Sequence, residues 1–211
     1  LSDIIISQNK FKLEKLYADY PNFKTIVGSN GREKRLTSSI FSNLPLFTDE
    51  PSSKNADIQI LGLIKNNRLY KYIPLRYIEN HNNLDKFKVL IAKSNGTGKF
   101  GETLSTPIVV KPKIGYTQSF IGVGAFENNI EAEFCLKYIK TKFSRALLGV
   151  LKATQDNNKD VWKFVPLQDF TNNSDIDWGK SIPEIDAQLY KKYKLTEEEI
   201  AFVESMIKPM N

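Results

Sequence analysis

The chain has 211 residues, 41% hydrophobic and 26% charged, the balance of a folded protein with a sizeable core, which excludes a disordered, collagen-like or low-complexity chain. Its single cysteine, Cys135, excludes an intrachain disulfide, and with one histidine, His81, it cannot build a structural zinc site. The net charge of +6 is uneven: Thr171 to Asn211 carry 5 basic and 8 acidic residues, leaving 25 basic and 16 acidic in the first 170. A basic body with an acidic end points to a polyanionic partner, although a lysine-rich surface also serves plain solubility.

In chain order, Lys10 to Tyr20 has a mixed helical pattern that Pro21 ends. Ile26-Val27 reads as a short strand before the turn Gly28-Ser29-Asn30-Gly31, and Thr48 to Asn55 as a loop. Asp57 to Tyr72 reads as a β-hairpin turning at Asn66-Asn67, since Asn tolerates positive φ. Its second strand would carry Arg68, Tyr70 and Tyr72 on one face and Leu69, Lys71 and Ile73 on the other. Pro74 to Ile78 suits a short helix with proline in its first turn.

Phe87 to Lys93 is a strand pattern, followed by a Gly-rich loop from Ser94 to Gly101. Pro107 to Lys111 is another strand, Pro112 to Tyr116 a polar turn, and Gln118 to Phe126 a third strand. Gly122 and Gly124 within it mark a bulge or a close backbone approach. Ile130 to Lys152 reads as one long helix, opened by a capping box of Asn128 with Glu131. At 100° per residue, Cys135, Leu136, Ile139, Phe143, Ala146, Leu147 and Val150 share a core face. Lys137, Lys140, Thr141, Ser144, Arg145 and Lys152 share the opposite face, a solvated face or a phosphate track. Val161 to Leu167 is short and apolar, and Ile182 to Tyr193 and Thr196 to Ile207 are two further helices, the second with a capping box of Thr196 and Glu199.

Motifs of catalysis are few. No lysine has Asp or Glu two residues before it, so the simplest metal-dependent nuclease pattern is absent. No P-loop is expected, Gly98-Lys99 being followed by Phe100, and there is no Pro-Pro for the Asn/Asp-Pro-Pro-Tyr/Phe grip on a flipped base. Gly122-x-Gly124 alone is a weak cofactor signal, and Cys135 falls on an apolar face. The visible constellation is one of binding. Arg68, Lys71, Tyr72 and Arg76 lie on or after the hairpin. Lys93, Asn95, Thr97 and Lys99 sit around the Gly-rich loop, where backbone amides can meet a phosphate or base edge. Lys111, Lys113, Tyr116, Thr117 and Gln118 make a second basic, polar turn, and Lys137 and Arg145 stand on the long helix. Asn and Gln read adenine bidentately, and Arg or Lys read guanine.

Five segments carry a family resemblance. They are Lys88-Val89-Leu90-Ile91-Ala92-Lys93 with its loop; Gly115-Tyr116-Thr117-Gln118 through Phe126; and the helix from Glu131 through Tyr138-Ile139-Lys140-Thr141-Lys142-Phe143-Ser144-Arg145. The others are Thr154 through Val161-Trp162-Lys163-Phe164-Val165-Pro166 to Phe170, and Ile185 through Tyr190-Lys191-Lys192-Tyr193 to Ile200. Together they resemble the C-terminal specificity region of adenine-specific DNA methyltransferases of bacterial restriction-modification systems, the TaqI-like specificity domains, and more loosely the type I specificity subunits. The resemblance spans Asp57 to Met210 and leaves out the first 55 residues. It implies target recognition on double-stranded DNA, with S-adenosylmethionine and the Asn-Pro-Pro-Tyr-type site in an upstream methyltransferase domain, joined in some members by a nuclease. It assigns no base-reading residue here, and no cofactor is expected in this chain.

The fold expected is α+β: a twisted mixed or antiparallel sheet packed with one long amphipathic helix, plus a C-terminal helical pair. Residues 1–55 form a helical or irregular segment, 56–170 the recognition domain and 171–211 an acidic helical extension. The alternative function is a protein-interaction module, docking by the basic helix face on an acidic partner or on the parent's catalytic domain. No segment approaches the roughly 18 apolar residues that span a bilayer, and no signal peptide is visible, so the cytoplasm is the expected compartment. Leu1 in place of Met gives the expectation of a processed or excised chain.

Overall fold

A computed structural model of the chain describes residues 1–27, 32–52 and 56–210. The expected turn at Gly28 to Gly31 and the end of the expected loop at Ser53 to Asn55 lie outside these residues. The chain opens with a two-residue strand, β1 (Ile5–Ile6), and a short helix, α1 (Leu13–Asp19), which stops ahead of Pro21. Ile26 and Val27 form no strand: the preceding 3-10 turn, Pro21–Thr25, continues into them, and Val27 N donates to Phe23 O at 2.9 Å. A single helical turn, α2 (Ile40–Asn43), precedes the hairpin of β2 (Asp57–Ile64) and β3 (Asn67–Pro74). The hairpin turns at Lys65-Asn66, one residue earlier than expected, with φ of 48° and 64°. Both central residues therefore have the positive φ that a two-residue hairpin turn demands.

Strand β4 (Phe87–Ala92) follows, then β5 (Ile108–Val110), β6 (Ile114–Tyr116) and β7 (Phe120–Phe126). The expected polar turn over Pro112 to Tyr116 is thus in part a strand, because Ile114 and Tyr116 have apolar surface to bury against β2. The single expected sheet is two sheets. One is antiparallel, in the order β1-β7-β4-β5; the other is β3-β2-β6, in which β6 runs parallel to β2. Leu61, Leu90, Val110, Tyr116 and Phe120 fill the space between them. The N-terminal segment does not stand apart: Phe11, Leu16, Phe23, Leu36, Ile40 and Leu44 close over Ile58, Ile60 and Ile73 of the hairpin.

The later helices form a layer whose first member packs on the antiparallel sheet. The long helix expected over Ile130 to Lys152 is two, α3 (Asn129–Lys140) and α4 (Lys142–Leu151). The expected cap at Asn128 forms, Glu131 N donating to its Oδ1 at 2.9 Å and its Nδ2 donating to Glu131 Oε1 at 2.8 Å. The break is at Thr141, whose ψ of 150° is extended and whose Oγ1 accepts from Ser144 N. It is completed from α5 (Ile182–Lys192), where Asp186 accepts from Lys142 N at 2.9 Å and from Phe143 N at 2.8 Å. The last helix, α6 (Glu197–Met206), starts at the Thr196–Glu199 capping box read from the sequence. The C-terminal helical pair is present and the fold is α+β. Among the described residues, no helix is long and apolar enough to cross a membrane.

Two buried polar groups lock this arrangement. Gly122 carries no Cβ because the Tyr116 hydroxyl stands against it, and Gly124, at φ 79°, forms a bulge where β7 sets Gly124 and Ala125 opposite Lys88. The Lys88 ammonium is fully buried there, donating to Asn83 O at 2.8 Å and Lys86 O at 3.1 Å. Burial lowers its pKa from 10.5 to about 7. Between those values the unfolded chain holds the proton and the folded chain releases it, so this group makes stability rise with pH through that window. Urea denaturation from pH 7 to 9 should show wild-type stability gaining on Lys88→Met by about 1 kcal/mol per pH unit. Asp186→Ala strands two amides at the start of α4 and should cost about 2 kcal/mol in the same assay, Asp186→Asn less.

Candidate functional site

The residues expected to bind fall into three groups, separated by what their polar atoms already touch. The first is interior. Asn95 is buried, its Nδ2 donating to Thr103 O at 2.9 Å and its Oδ1 accepting from Ser105 N and Ser105 Oγ. It staples the two ends of the Gly-rich loop. Tyr116 is fully buried, its hydroxyl donating to Ile6 O at 3.1 Å and accepting from Asn83 Nδ2. Arg145 is 2% exposed and donates to the carbonyls of Lys140, Glu102 and Lys208. Burial lowers its pKa to about 10, so it stays charged at neutral pH.

Arg145 decides the helix face as a whole. Thr141, Ser144 and Lys152 are buried with it, and Lys152 Nζ donates to Asn95 O at 3.0 Å. Lys137 Nζ donates to Trp178 O and Lys180 O. Most of the face expected to be a phosphate track or a basic docking surface is therefore turned inward, Lys137 and Lys140 remaining partly exposed. After the break at Thr141 the polar side of α4 meets backbone carbonyls, while Phe143 and Leu148 stay in the core and Val150, 61% exposed, meets water.

The second group is engaged at the surface. Lys71 pairs with Asp49 at 2.6 Å, and the Tyr72 hydroxyl accepts from Gln59 Nε2 at 2.9 Å. Arg76 donates to the Tyr77 hydroxyl and lies 3.5 Å from Asp19. The amides of the Gly-rich loop are also taken: Thr97 N and Gly98 N donate to the Glu102 carboxylate, and Thr97 Oγ1 donates to it at 2.7 Å. Those donors hold the Glu102 carboxyl below its ordinary pKa, Thr97 Oγ1 contributing most. The loop has the amide nest that an anion needs, with the protein's own carboxylate in it. Lys99 and Lys113 are exposed, Lys113 at φ 62°.

The third group frames a cleft of about 410 Å³ on the side where the two sheets meet. Beyond β4 the chain bends at Lys93, Ser94 then bridging to Asp156 and Asn95 N donating to Gln155 O at 2.8 Å. That puts Lys93, Gln155 and Asp156 on one rim. The other rim is the Thr117–Ser119 turn before β7, in which Thr117 N donates to Leu61 O and Gln118 N to Leu36 O at 2.7 Å. Backbone bonds to both halves of the fold fix where Gln118 starts. Leu63 and Ala92 form the apolar floor. Arg68 stands beside the cleft, opposite Leu63 in the hairpin, its guanidinium 5.5 Å from the Phe120 ring centroid and donating to Ser105 O.

Of the expected residues, then, the fold brings Lys93 and Gln118 into one cleft with Arg68 at its side. It adds Gln155, Asp156 and Ser94, whose place depends on the strand-like pairing of residues 94 and 156. No local pattern marks that pairing. The cleft offers two primary amides, an ammonium, hydroxyls and one carboxylate over an apolar floor, a set suited to reading donor and acceptor patterns. His81 and Cys135 do not line it: His81 bonds Asn83 and Cys135 is buried in the helical core. The tripeptide Gly179-Lys180-Ser181 does stand before α5, but Ser174 occupies the place of a P-loop's first glycine, and Ser181 is engaged with Glu184. Among the described residues, no group of three His, Cys, Asp or Glu is placed to hold a metal ion.

Asn95→Ala tests the division between interior and cleft residues. It should lower stability by about 2 kcal/mol and speed amide exchange at Ser105, while leaving any ligand preference of the cleft unchanged. Compared with known proteins, the chain matches no family model, no curated protein and no solved structure.

Proposed function

We propose that this chain recognises a short sequence on double-stranded DNA, as the specificity part of a bacterial restriction-modification adenine methyltransferase. In this reading an upstream domain holds S-adenosylmethionine and carries the chemistry, and the whole works in the cytosol. One observation carries the proposal. Where most of the expected polar side chains are bonded within the fold, Lys93, Gln118 and Gln155 converge on one cleft, and among the described residues their polar heads have no partner. A side-chain amide offers one donor and one acceptor side by side, the pattern adenine presents in the major groove, and an ammonium beside it suits a phosphate. The cleft also belongs to the basic 170 residues, whose excess of cations supplies the sequence-independent attraction.

Selection from a random duplex library at moderate salt tests this directly. The chain should enrich one short motif. Gln118→Ala should cost about 1–3 kcal/mol at one position of that motif and relax it. Lys93→Ala should weaken all sequences alike and reduce the salt slope by about 1. Uniform retention of every sequence, lost steeply as salt rises, would overturn the proposal.

A further inference from the structure

An amphipathic helix ordinarily buries its apolar stripe and wets its polar one. Helix α4 departs from this: it buries Phe143 and Leu148, but it also turns Ser144 and Arg145 inward. Ala146 and Leu147 are only partly buried, and Val150 and Leu151 are in contact with water. Between Lys142 and Lys152, Arg145 is the only charged residue, and it is buried, so the exposed surface of α4 there carries no charge. The neighbouring face of α6 continues the patch, with Phe202 52% and Met206 47% exposed. Between the two helices lies a groove of about 420 Å³ with Phe143, Leu147, Leu195, Phe202 and Val203 among its walls. Contiguous exposed apolar surface of this kind, rimmed by polar groups, marks a protein contact.

The rim selects the partner. Glu198 and Glu199 stand at the groove, Glu197 beside them, and α6 has four carboxylates and no cation. Lys142, the cation at the start of α4, is already paired to Glu204 at 2.6 Å. Glu199 closes the capping box with Thr196, which leaves Glu197 and Glu198 without an ion-pair partner among the described residues. We infer that the α4–α6 groove docks an amphipathic helix of another protein segment, with apolar residues at i, i+3 or i+4 and i+7 on the groove and lysine or arginine flanking them against the acidic rim. The surface shares no residue with the cleft, so the inference stands independently of DNA recognition. The chain's overall charge of +6 repels a basic segment, so attraction must come from this local rim.

The probe is a labelled amphipathic peptide of leucine and lysine, about 18 residues long, alongside a leucine–glutamate counterpart and a scrambled leucine–lysine peptide without helical periodicity. Fluorescence anisotropy with the whole chain should show binding of the periodic leucine–lysine peptide at least tenfold tighter than of either control. Phe202→Asp should weaken it at least tenfold. Glu198→Lys, an exposed change that leaves packing alone, should weaken the basic peptide and strengthen the acidic one. Equal binding of basic and acidic peptides, equal binding of the scrambled one, or no binding would overturn the inference. So would a concentration-dependent dimer in sedimentation that Phe202→Asp abolishes, which would make a second copy the occupant.

Discussion

The carboxylate of Asp186 sits where two peptide amides would otherwise face a dry interior, and much of the helical layer follows from that contact. A helix leaves its first amides without intrahelical acceptors. Here Thr141 and Asp186 supply them from two directions, which makes it favourable to start a new helix instead of prolonging α3. Once α4 starts afresh its rotation is free to differ, and it is set by Arg145, whose three carbonyl partners come from the end of α3, from the Gly-rich loop and from the C-terminal tail. Among the described residues this buried guanidinium has carbonyl hydrogen-bond partners and no carboxylate within ion-pair distance, and the Asp186 charge nearby supports its protonated form. That ties three segments distant in sequence to one side chain.

The two sheets depend on a similar economy of buried polar groups. Tyr116, Asn83 and Lys88 form a chain of contacts at their junction: the Tyr116 hydroxyl reaches Ile6 O of the antiparallel sheet, Asn83 Nδ2 donates to Tyr116, and Lys88 donates to Asn83 O in the segment before its own strand. The absent side chain at Gly122 is what admits the Tyr116 hydroxyl, and the bulge at Gly124 makes room opposite Lys88. These contacts bring the Thr117–Ser119 turn against Leu36 and Leu61 and so fix one rim of the cleft. The position of Gln118 is thus a product of the junction rather than of its own loop.

Local signals were read well from the sequence wherever the physics was local. The capping residues Asn128 and Thr196, the stop at Pro21, the hairpin and the glycines of β7 all declare themselves by residue type and spacing. What was not legible was the partner of each polar side chain. Asn95 and Gln118 are the same chemistry in adjoining polar turns, yet one closes a loop on Ser105 and the other reaches a cleft. The difference lies in which carbonyls and amides the tertiary fold delivers. The same holds for Glu102, which fills the amides of Thr97 and Gly98, and for the long helix: its 100° periodicity ran unbroken through Thr141 because Asp186, the group that breaks it, is 45 residues further on. Lys93 and Gln118 were found by type; Gln155 and Asp156 required the pairing of Ser94 with Asp156.

The edges of the two sheets show how this protein manages self-recognition. An open strand edge is a template for pairing with any other chain. Here β1 has two residues and β5 and β6 three each, β5 lying between Pro107 and Pro112. The one long edge, β3, carries Arg68 and Lys71, ends at Pro74 and is bridged along its middle by Thr48. Among the described residues each edge is short, or charged and partly bridged, while α4 and α6 expose apolar side chains. Association is thereby steered away from strand addition, which reads only backbone, toward side-chain contacts, which can distinguish one partner from another.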